Sequence, residues 1–246
     1  MAFDYAIRAS QGARRYQEDA AIVREEAAGG LTAVLADGMG GHAGGAVASE
    51  TAGTAFLEAF AAASGQTRMR LAAALDDANA ALAARAALNP DLAGMGCTLV
   101  ATAFGPAGLD WMSVGDSPLY LVRSGRIARL NEDHSLAPEI DRMAEMGRLT
   151  WEEAKAHPRR HFLRSALTGT EIDMVDWSQE TLVLEAGDAV IVASDGIHTI
   201  EEAEIARLAS AHRSPDAIAE ALLAAVDGAG DPHQDNTTVV VVRLLP

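Results

Sequence analysis

The sequence predicts an α+β protein in which antiparallel β-sheets carry helices on their outer sides. Strand-like runs occur in groups separated by short turns, a spacing typical of hairpins and not of strand–helix–strand crossovers. Pairs of helix-like runs interrupt these groups, which favours two sheets with helices outside. Hydrophobic residues make up 49% of the chain and charged residues 22%, as in globular proteins, and aromatic residues only 4%, so the core must be mostly aliphatic.

The first part of the chain predicts three short strands followed by two helices. The first helix is rich in alanine and carries Phe56 and Phe60 on its apolar side. Asn89-Pro90 ends the second helix, because proline cannot continue it. The predicted strands are residues 5–9, 20–24 and 31–36, and the predicted helices are residues 44–63 and 69–88.

The remainder predicts further hairpins, two more helices and a closing strand. Residues 135–160 are polar and short in period, which indicates small helices and loops. Turn residues such as Gly105-Pro106 and Ser124-Gly125 separate the strands. The predicted strands are residues 98–104, 109–114, 119–122, 127–130, 162–167, 180–184, 189–193 and 237–245, and the predicted helices are residues 201–209 and 215–226.

Composition and simple sequence patterns exclude several classes of protein. We find no internal repeat, low-complexity tract or Gly/Ser linker, so we predict one domain over residues 1–246. A net charge of −16 argues against a nucleic-acid partner. We see no signal peptide and no apolar run long enough to cross a membrane, so we expect a cytoplasmic protein, and with no coiled coil a monomer. Lys155, the only lysine, follows no glycine-rich loop, which excludes a P-loop NTPase or a protein kinase of the usual design.

Acidic residues stand where predicted strands begin or end. They are Glu18, Asp19, Asp37, Asp116, Asp195 and Asp235. Any one of these aspartates alone is well explained as a turn residue. The set is not, because each member abuts an apolar run and small neighbours. Carboxylates about 4 Å apart repel by roughly 4 kcal/mol, so a convergent cluster must take up protons or bind cations. All-oxygen ligands favour Mg²⁺, Mn²⁺ or Ca²⁺ over zinc.

The motifs around these acids resemble those of a known family. Five of them occur in family order: Arg14-Arg15-Tyr16-Gln17-Glu18-Asp19, Asp37-Gly38-Met39-Gly40-Gly41, Val114-Gly115-Asp116-Ser117, Ala193-Ser194-Asp195-Gly196 and Asp235-Asn236-Thr237-Thr238. The chain thus resembles the metal-dependent protein phosphatase family, the type 2C serine/threonine phosphatases, in its short bacterial form. The resemblance runs from about Ala6 to Leu244 and implies a four-layer α-β-β-α sandwich with the sheets face to face.

The resemblance also implies a metal site holding two or three Mn²⁺ or Mg²⁺ ions. Asp37 would bridge two ions, with the Gly38 carbonyl joining the coordination. Asp195 and Asp235 would bind the first ion. Glu18 would reach the second ion, largely through water, with Asp19 as support, and Asp116 would help to hold a third, weaker ion.

The same resemblance implies how a phosphate is bound and cleaved. Arg14 would grip the substrate phosphate, and Arg15 is the alternative if the register slips by one. A metal-activated water would attack phosphorus in line, without a phosphoenzyme. Met39 stands where some members carry a proton-donating histidine, so the leaving group's proton would come from a metal-activated water, from His42 or from solvent. Cys97 is expected to pack in a strand, as free cysteine is usually buried.

Residues 136–165 resemble the family's mobile flap. Arg159 and Arg160, with His157, either receive a phosphopeptide or simply solvate a loop, and we keep both interpretations. Around Arg164 the sequence departs from the family's usual order, which leaves a role for that arginine open.

Three functions compete. The first is a phosphatase of phosphoserine and phosphothreonine in proteins, acting on substrates of a bacterial serine/threonine kinase. The second is a non-catalytic module of the same fold that binds phosphoproteins, which the presence of Asp37, Asp195 and Asp235 counts against. The third is a phosphatase of small phosphorylated metabolites, which the acids alone do not exclude.

Overall fold

The computed structural model of the chain describes residues 2–26, 29–40 and 44–245, and these residues form two antiparallel sheets with helices on both outer sides. The strands are β1 (Phe3–Ser10), β2 (Asp19–Glu25), β3 (Leu31–Met39), β4 (Gly96–Cys97), β5 (Leu99–Gly105), β6 (Gly108–Val114), β7 (Leu119–Arg123), β8 (Arg126–Arg129), β9 (Asp176–Trp177), β10 (Ala189–Ala193) and β11 (Thr237–Leu244). The helices are α1 (Gly44–Ala62), α2 (Thr67–Leu88), α3 (Ala137–Glu145), α4 (Trp151–Lys155), α5 (Glu202–Ala211) and α6 (Pro215–Gly228).

Each sheet brings together distant parts of the chain. One sheet has the order β1-β11-β10-β7-β8, so that Val241 of β11 lies between Ala6 of β1 and Ile191 of β10. The other has the order β2-β3-β5-β6-β9, with β4 added beside the end of β3. The first and last strands of the chain therefore pair with each other along their whole length.

Aliphatic side chains hold four layers together. Between the sheets pack β-branched and leucine side chains such as Leu35, Val100, Val190 and Val240, all essentially without solvent exposure. The outer face of the β3 sheet packs against α1 and α2, and the outer face of the β11 sheet packs against α5 and α6. Alternate residues of each strand thus face opposite cores, as the strand period requires. The four-layer α-β-β-α arrangement confirms the predicted fold class.

Two of the predicted strands are wrong. Residues 162–167 and 180–184 pair only through isolated bridges, which join Leu163 to Ser135, Leu167 to Cys97 and Leu182 to Leu109. The first segment changes partner within four residues, from Ser135 to Cys97, so no continuous ladder forms. Apolar residues alternate in these segments because single side chains, such as Leu167 and Leu184, pack on the sandwich while their neighbours stay outside a ladder. A third difference is that β3 continues to Met39 and carries Asp37 inside the strand, not after its end.

A small two-helix unit projects between β8 and β9. Its own core consists of Ile140, Ala144 and Ala154, and a capping box between Thr150 and Glu153 begins α4. The segment carrying Arg160 folds back on α3. Its two ends meet through backbone hydrogen bonds, from Leu136 to Phe162 and from Arg164 to His134. These helices match the predicted small helices, and we call residues 136–165 the flap.

Within the described ranges, the structure contains no helix that is both long enough and apolar enough to cross a membrane.

Candidate functional site

A cleft of about 760 Å³ lies at the edge of the sandwich where β3 and β6 of one sheet end, β10 of the other ends and β11 begins. Antiparallel neighbours bring these ends to one edge because β3 and β6 run the same way on either side of β5. The structure places seven of the predicted site residues on its wall: Arg14, Glu18, Asp37, Gly38, Asp116, Asp195 and Asp235. Asp19 lies directly behind it, opposite Asp37 in the β2–β3 pair.

Burial and mutual repulsion perturb the carboxylates of the cleft. Burial, followed by the charges of Asp195 and Asp19, raises the pKa of Asp37 well above its usual range. Burial also raises the pKa of Asp195, and the neighbouring Asp235 adds to the effect. For Asp116, burial and then the Asp195 charge raise the pKa to about 7. Such a cluster stores electrostatic energy that a cation would release.

Two carboxylate oxygens of the cluster lack partners. Asp19 accepts a hydrogen bond from Ser194 Oγ at 2.8 Å through Oδ2, while its Oδ1 is buried with no hydrogen-bond partner in the described residues. Burial raises the pKa of Asp19 to about 6 despite that bond. Glu18 Oε1 is likewise buried and unpartnered among the described residues. Buried oxygens of this kind are costly unless something else binds them.

Close backbone packing fixes Glu18 against β3. Asn236 Oδ1 accepts a hydrogen bond from the Glu18 amide at 2.8 Å, and Ser49 Oγ donates to the Glu18 carbonyl at 2.6 Å. A Cβ on Gly38 would lie 2.1 Å from the Gly45 carbonyl oxygen, and one on Gly45 would lie 2.5 Å from Glu18 Oε1. The glycines around Asp37 are therefore required by this close approach and not only by turn geometry.

Arg14 enters the cleft from the loop after β1. Its guanidinium forms an ion pair with the Asp235 carboxylate. The loop is tied to the start of β11 by a hydrogen bond from the Ala13 amide to the Gln234 carbonyl, 2.8 Å long. Arg15 does not line the cleft, so of the two predicted alternatives only Arg14 reaches it.

Polar residues outside the predicted set hold the backbone at Asp37 and Asp116 in place. Thr98 Oγ1 accepts a hydrogen bond from the Asp37 amide at 3.1 Å and pairs with Ser117 Oγ at 2.7 Å. Arg129 donates to the Asp116 carbonyl at 2.8 Å. Such positions carry no local signal, because a buried threonine beside a strand has the same sequence pattern whether or not it positions a carboxylate.

The flap arginines lie elsewhere. Arg159 is exposed and does not line the cleft, and Arg160 makes a two-pronged ion pair with Asp141 at 2.5 and 2.9 Å. His161 and Arg164, for which no role was predicted, line the cleft in their place. His42 lies outside the described residues.

Cys97 lies in β4 with no exposed surface. Burial, followed by the charge of Asp37, raises the pKa of its thiol far above the usual value. A thiol in this state is a poor nucleophile, which agrees with the expected packing role.

The donors of the cleft fit hard divalent cations. They are carboxylate and carbonyl oxygens, which suit Mg²⁺ and Mn²⁺. In the described part of the chain, no three Asp, Glu, His or Cys side chains already form a complete metal cage. Mg²⁺ tolerates this, because it keeps several waters and needs only one or two carboxylates. Such cations fit the cleft because buried oxygens of Glu18 and Asp19 have no hydrogen-bond partner among the described residues.

Two facing antiparallel sheets flanked by helices, with six carboxylates gathered at one edge, define an α-β-β-α sandwich whose cleft suits divalent cations. A family model described as protein phosphatase 2C matches residues 9–225, and the chain belongs to that family.

Bacterial relatives agree with this assignment. The chain is 36% identical over 251 residues to the serine/threonine protein phosphatase PstP of Mycobacterium tuberculosis, covering 98% of the chain but 45% of that protein. It is 31% identical to the serine/threonine phosphatase stp of Listeria welshimeri, covering 94% and 91% of the two chains. The crystal structure of the PstP catalytic domain in complex with two manganese ions superimposes with a TM-score of 0.80 at 32% identity, covering 99% of each chain. The chain thus spans about half the length of the first of these relatives.

Proposed function

We propose that the chain hydrolyses phosphoserine and phosphothreonine in proteins and that it requires Mn²⁺ or Mg²⁺ to do so. The observation that carries the proposal is the buried carboxylate cluster with unpartnered Glu18 and Asp19 oxygens beside an arginine that can bind phosphate. The names of the relatives, serine/threonine phosphatases, support the reaction and the substrate class.

We assign the metal ligands as the motifs suggest. Asp37 would bridge two ions, with the Gly38 carbonyl joining the coordination, and Asp195 and Asp235 would bind the first ion. Glu18, supported by Asp19, would serve the second ion, and the raised pKa of Asp116 supports a place for it beside a third, weaker ion. The structure of a relative with two manganese ions supports at least that number.

The division of labour follows from what each group offers. Bound divalent cations lower the pKa of water and polarise phosphoryl oxygens, so they supply the nucleophile and most of the charge stabilisation. Arg14 offers a planar guanidinium that can bind two phosphate oxygens at once. Its present partner is Asp235, so phosphate binding would exchange one anion for another on the guanidinium. Thr98 and Arg129 keep the backbone of Asp37 and Asp116 in place.

The partners in this proposal are proteins that a bacterial serine/threonine kinase has phosphorylated. A nucleic-acid partner remains disfavoured by the net charge of −16. Substrate contacts by Arg159 and Arg160, a single domain and a cytoplasmic monomer remain predictions.

The test compares hydrolysis of a phosphothreonine peptide and a small aryl phosphate, first in chelator and then with added Mn²⁺ or Mg²⁺. We expect no turnover in chelator, recovery with either metal, and loss of at least about a hundredfold in Asp37→Asn at saturating metal, because the substitution removes a ligand charge. Full turnover in chelator would contradict the proposed metal requirement. Phosphopeptide binding without hydrolysis under any metal condition would instead support the non-catalytic module.

A further inference from the structure

A second cavity of about 540 Å³ opens beside the candidate active-site cleft, between the flap and the body of the sandwich. We call it the side cavity. It shares Asp116 and His161 with the cleft, so the two spaces are neighbours along one surface. Other residues on its wall are Arg129, Asp133, Asp141, Lys155 and Arg160.

Most charges of the side cavity are already matched. Arg160 pairs with Asp141 at 2.5 Å, and Arg129 pairs with Asp133 at 3.4 Å. Asp116 belongs to the proposed metal cluster. This leaves Lys155, whose ammonium takes part in no ion pair among the residues that the structure describes. The only lysine of a chain with net charge −16 is therefore the unmatched cation of this cavity.

The wall of the cleft also carries exposed negative charge outside the side cavity. Glu171 and Asp173 line the cleft but not the side cavity, and both are exposed. Neither takes part in an ion pair in the described part of the chain. A substrate segment that passes over Glu171 and Asp173 would meet negative charge, whereas one that enters the side cavity would meet Lys155. Charge patterns of this kind select among partners.

We propose that the side cavity binds an anionic residue of the substrate, a few positions from the phosphorylated residue, through Lys155. The inference rests on the proposed protein-phosphatase function, because it places the phosphate in the cleft. An extended peptide advances about 3.3 Å per residue. A peptide whose phosphate lies in the cleft can therefore place a side chain a few positions away in the adjoining cavity. A carboxylate and a second phosphate share the required chemistry.

The test uses phosphothreonine peptides that differ at flanking positions: alanine, glutamate or a non-hydrolysable phosphonate at each of the three positions on either side. We expect the best glutamate or phosphonate peptide to have a KM about two- to fivefold below that of the alanine peptide, with little change in kcat, as for a partly exposed ion pair. The advantage should shrink as salt is raised. Glutamate and phosphonate, compared at the same position, distinguish a carboxylate from a phosphate ligand.

Variants locate the effect. Lys155→Gln should abolish the preference, Lys155→Glu should invert it, and Lys155→Arg should keep it, all with unchanged turnover of a small aryl phosphate. Arg148→Gln is the matched control, because it removes one positive charge from the exposed surface of the same flap without lining either cavity. An equal loss of preference in Arg148→Gln, or no preference in the unmodified chain, overturns the inference.

Failure of the proposed function gives a different result. The chain would then hydrolyse none of the peptides and no aryl phosphate. Affinity for the same peptides, measured by fluorescence anisotropy, still decides the role of Lys155. An anion preference that Lys155→Gln removes supports the side cavity, and equal affinities contradict it.

Discussion

Asp116 illustrates how a single carboxylate couples the cleft to pH. Burial raises its pKa to about 7 in the folded chain, against an unfolded value of 3.8. The folded state therefore binds the proton more tightly than the unfolded state. The loss of folding stability that ionisation of this buried carboxyl causes is absent below about pH 4 and fully present above about pH 7. In the absence of cations, this carboxylate lowers the stability of the fold as pH rises through that window.

We expect Asp116→Asn to raise the melting temperature in chelator, and to raise it more at pH 8 than at pH 5. The amide removes the buried charge and keeps the shape of the side chain. Thermal unfolding across this pH range is the measurement, with the exposed Asp91→Asn as a control that should show no such trend. An Asp116→Asn difference that is constant with pH would contradict the assignment.

At this scale the sequence predicted some site residues and missed others for physical reasons. Asp37, Asp195 and Asp235 were recognisable because a carboxylate that adjoins an apolar run and a glycine or asparagine is a local pattern. The placing of His161 in the cleft, and of Arg160 against Asp141, depends on how the flap folds back. No spacing in the sequence encodes that tertiary choice.

Among the elements, the flap depends on few contacts. Its core is small, and the Arg160–Asp141 pair joins α3 to the segment that follows α4. Both side chains are less than a third exposed, so the pair is better shielded than a surface salt bridge, and its two hydrogen bonds fix its geometry.

We expect Arg160→Ala to weaken the flap without unfolding the sandwich. A loss of about 1 kcal/mol would speed amide exchange in α3 and α4 roughly fivefold, while the melting temperature changes little. Hydrogen exchange followed by mass spectrometry measures this. The neighbouring Arg159→Ala should leave exchange unchanged, and equal acceleration by both variants would argue that the ion pair has no special part.

Element prediction succeeded for the long patterns and for most of the short strands, and it failed for two short runs. The alanine-rich helices and the β-branched run of β11 are long and self-consistent, so they were placed nearly at their observed bounds. Residues 162–167 and 180–184 are only partly apolar runs of six and five positions. Whether such a run joins a sheet depends on a free edge being available beside it, and this is decided by the rest of the fold.

The whole molecule should respond to cations as a single cooperative unit. Ligands that bind only the folded state stabilise it by RT ln(1 + [L]/Kd), which is about 2.7 kcal/mol at a hundred times Kd. We expect the melting temperature to rise with the logarithm of Mn²⁺ concentration. The rise should be much smaller in Asp37→Asn, and Asp91→Asn should behave like the unmodified chain. A melting temperature that is independent of Mn²⁺ would contradict a cation site in the cleft.

The pairing of β1 with β11 has a consequence for how the protein is made. The Glu18 amide is bonded to the side chain of Asn236, 218 positions later, and Ser10 to Asp227, 217 positions later. The ribosome must therefore release the chain as far as β11 before the cleft can be complete. Long sequence separations of this kind slow folding, since distant segments must meet first. A nascent polypeptide that ends before β11 lacks Asp235 and the strand that follows it, so it carries most of the acids without the complete cleft.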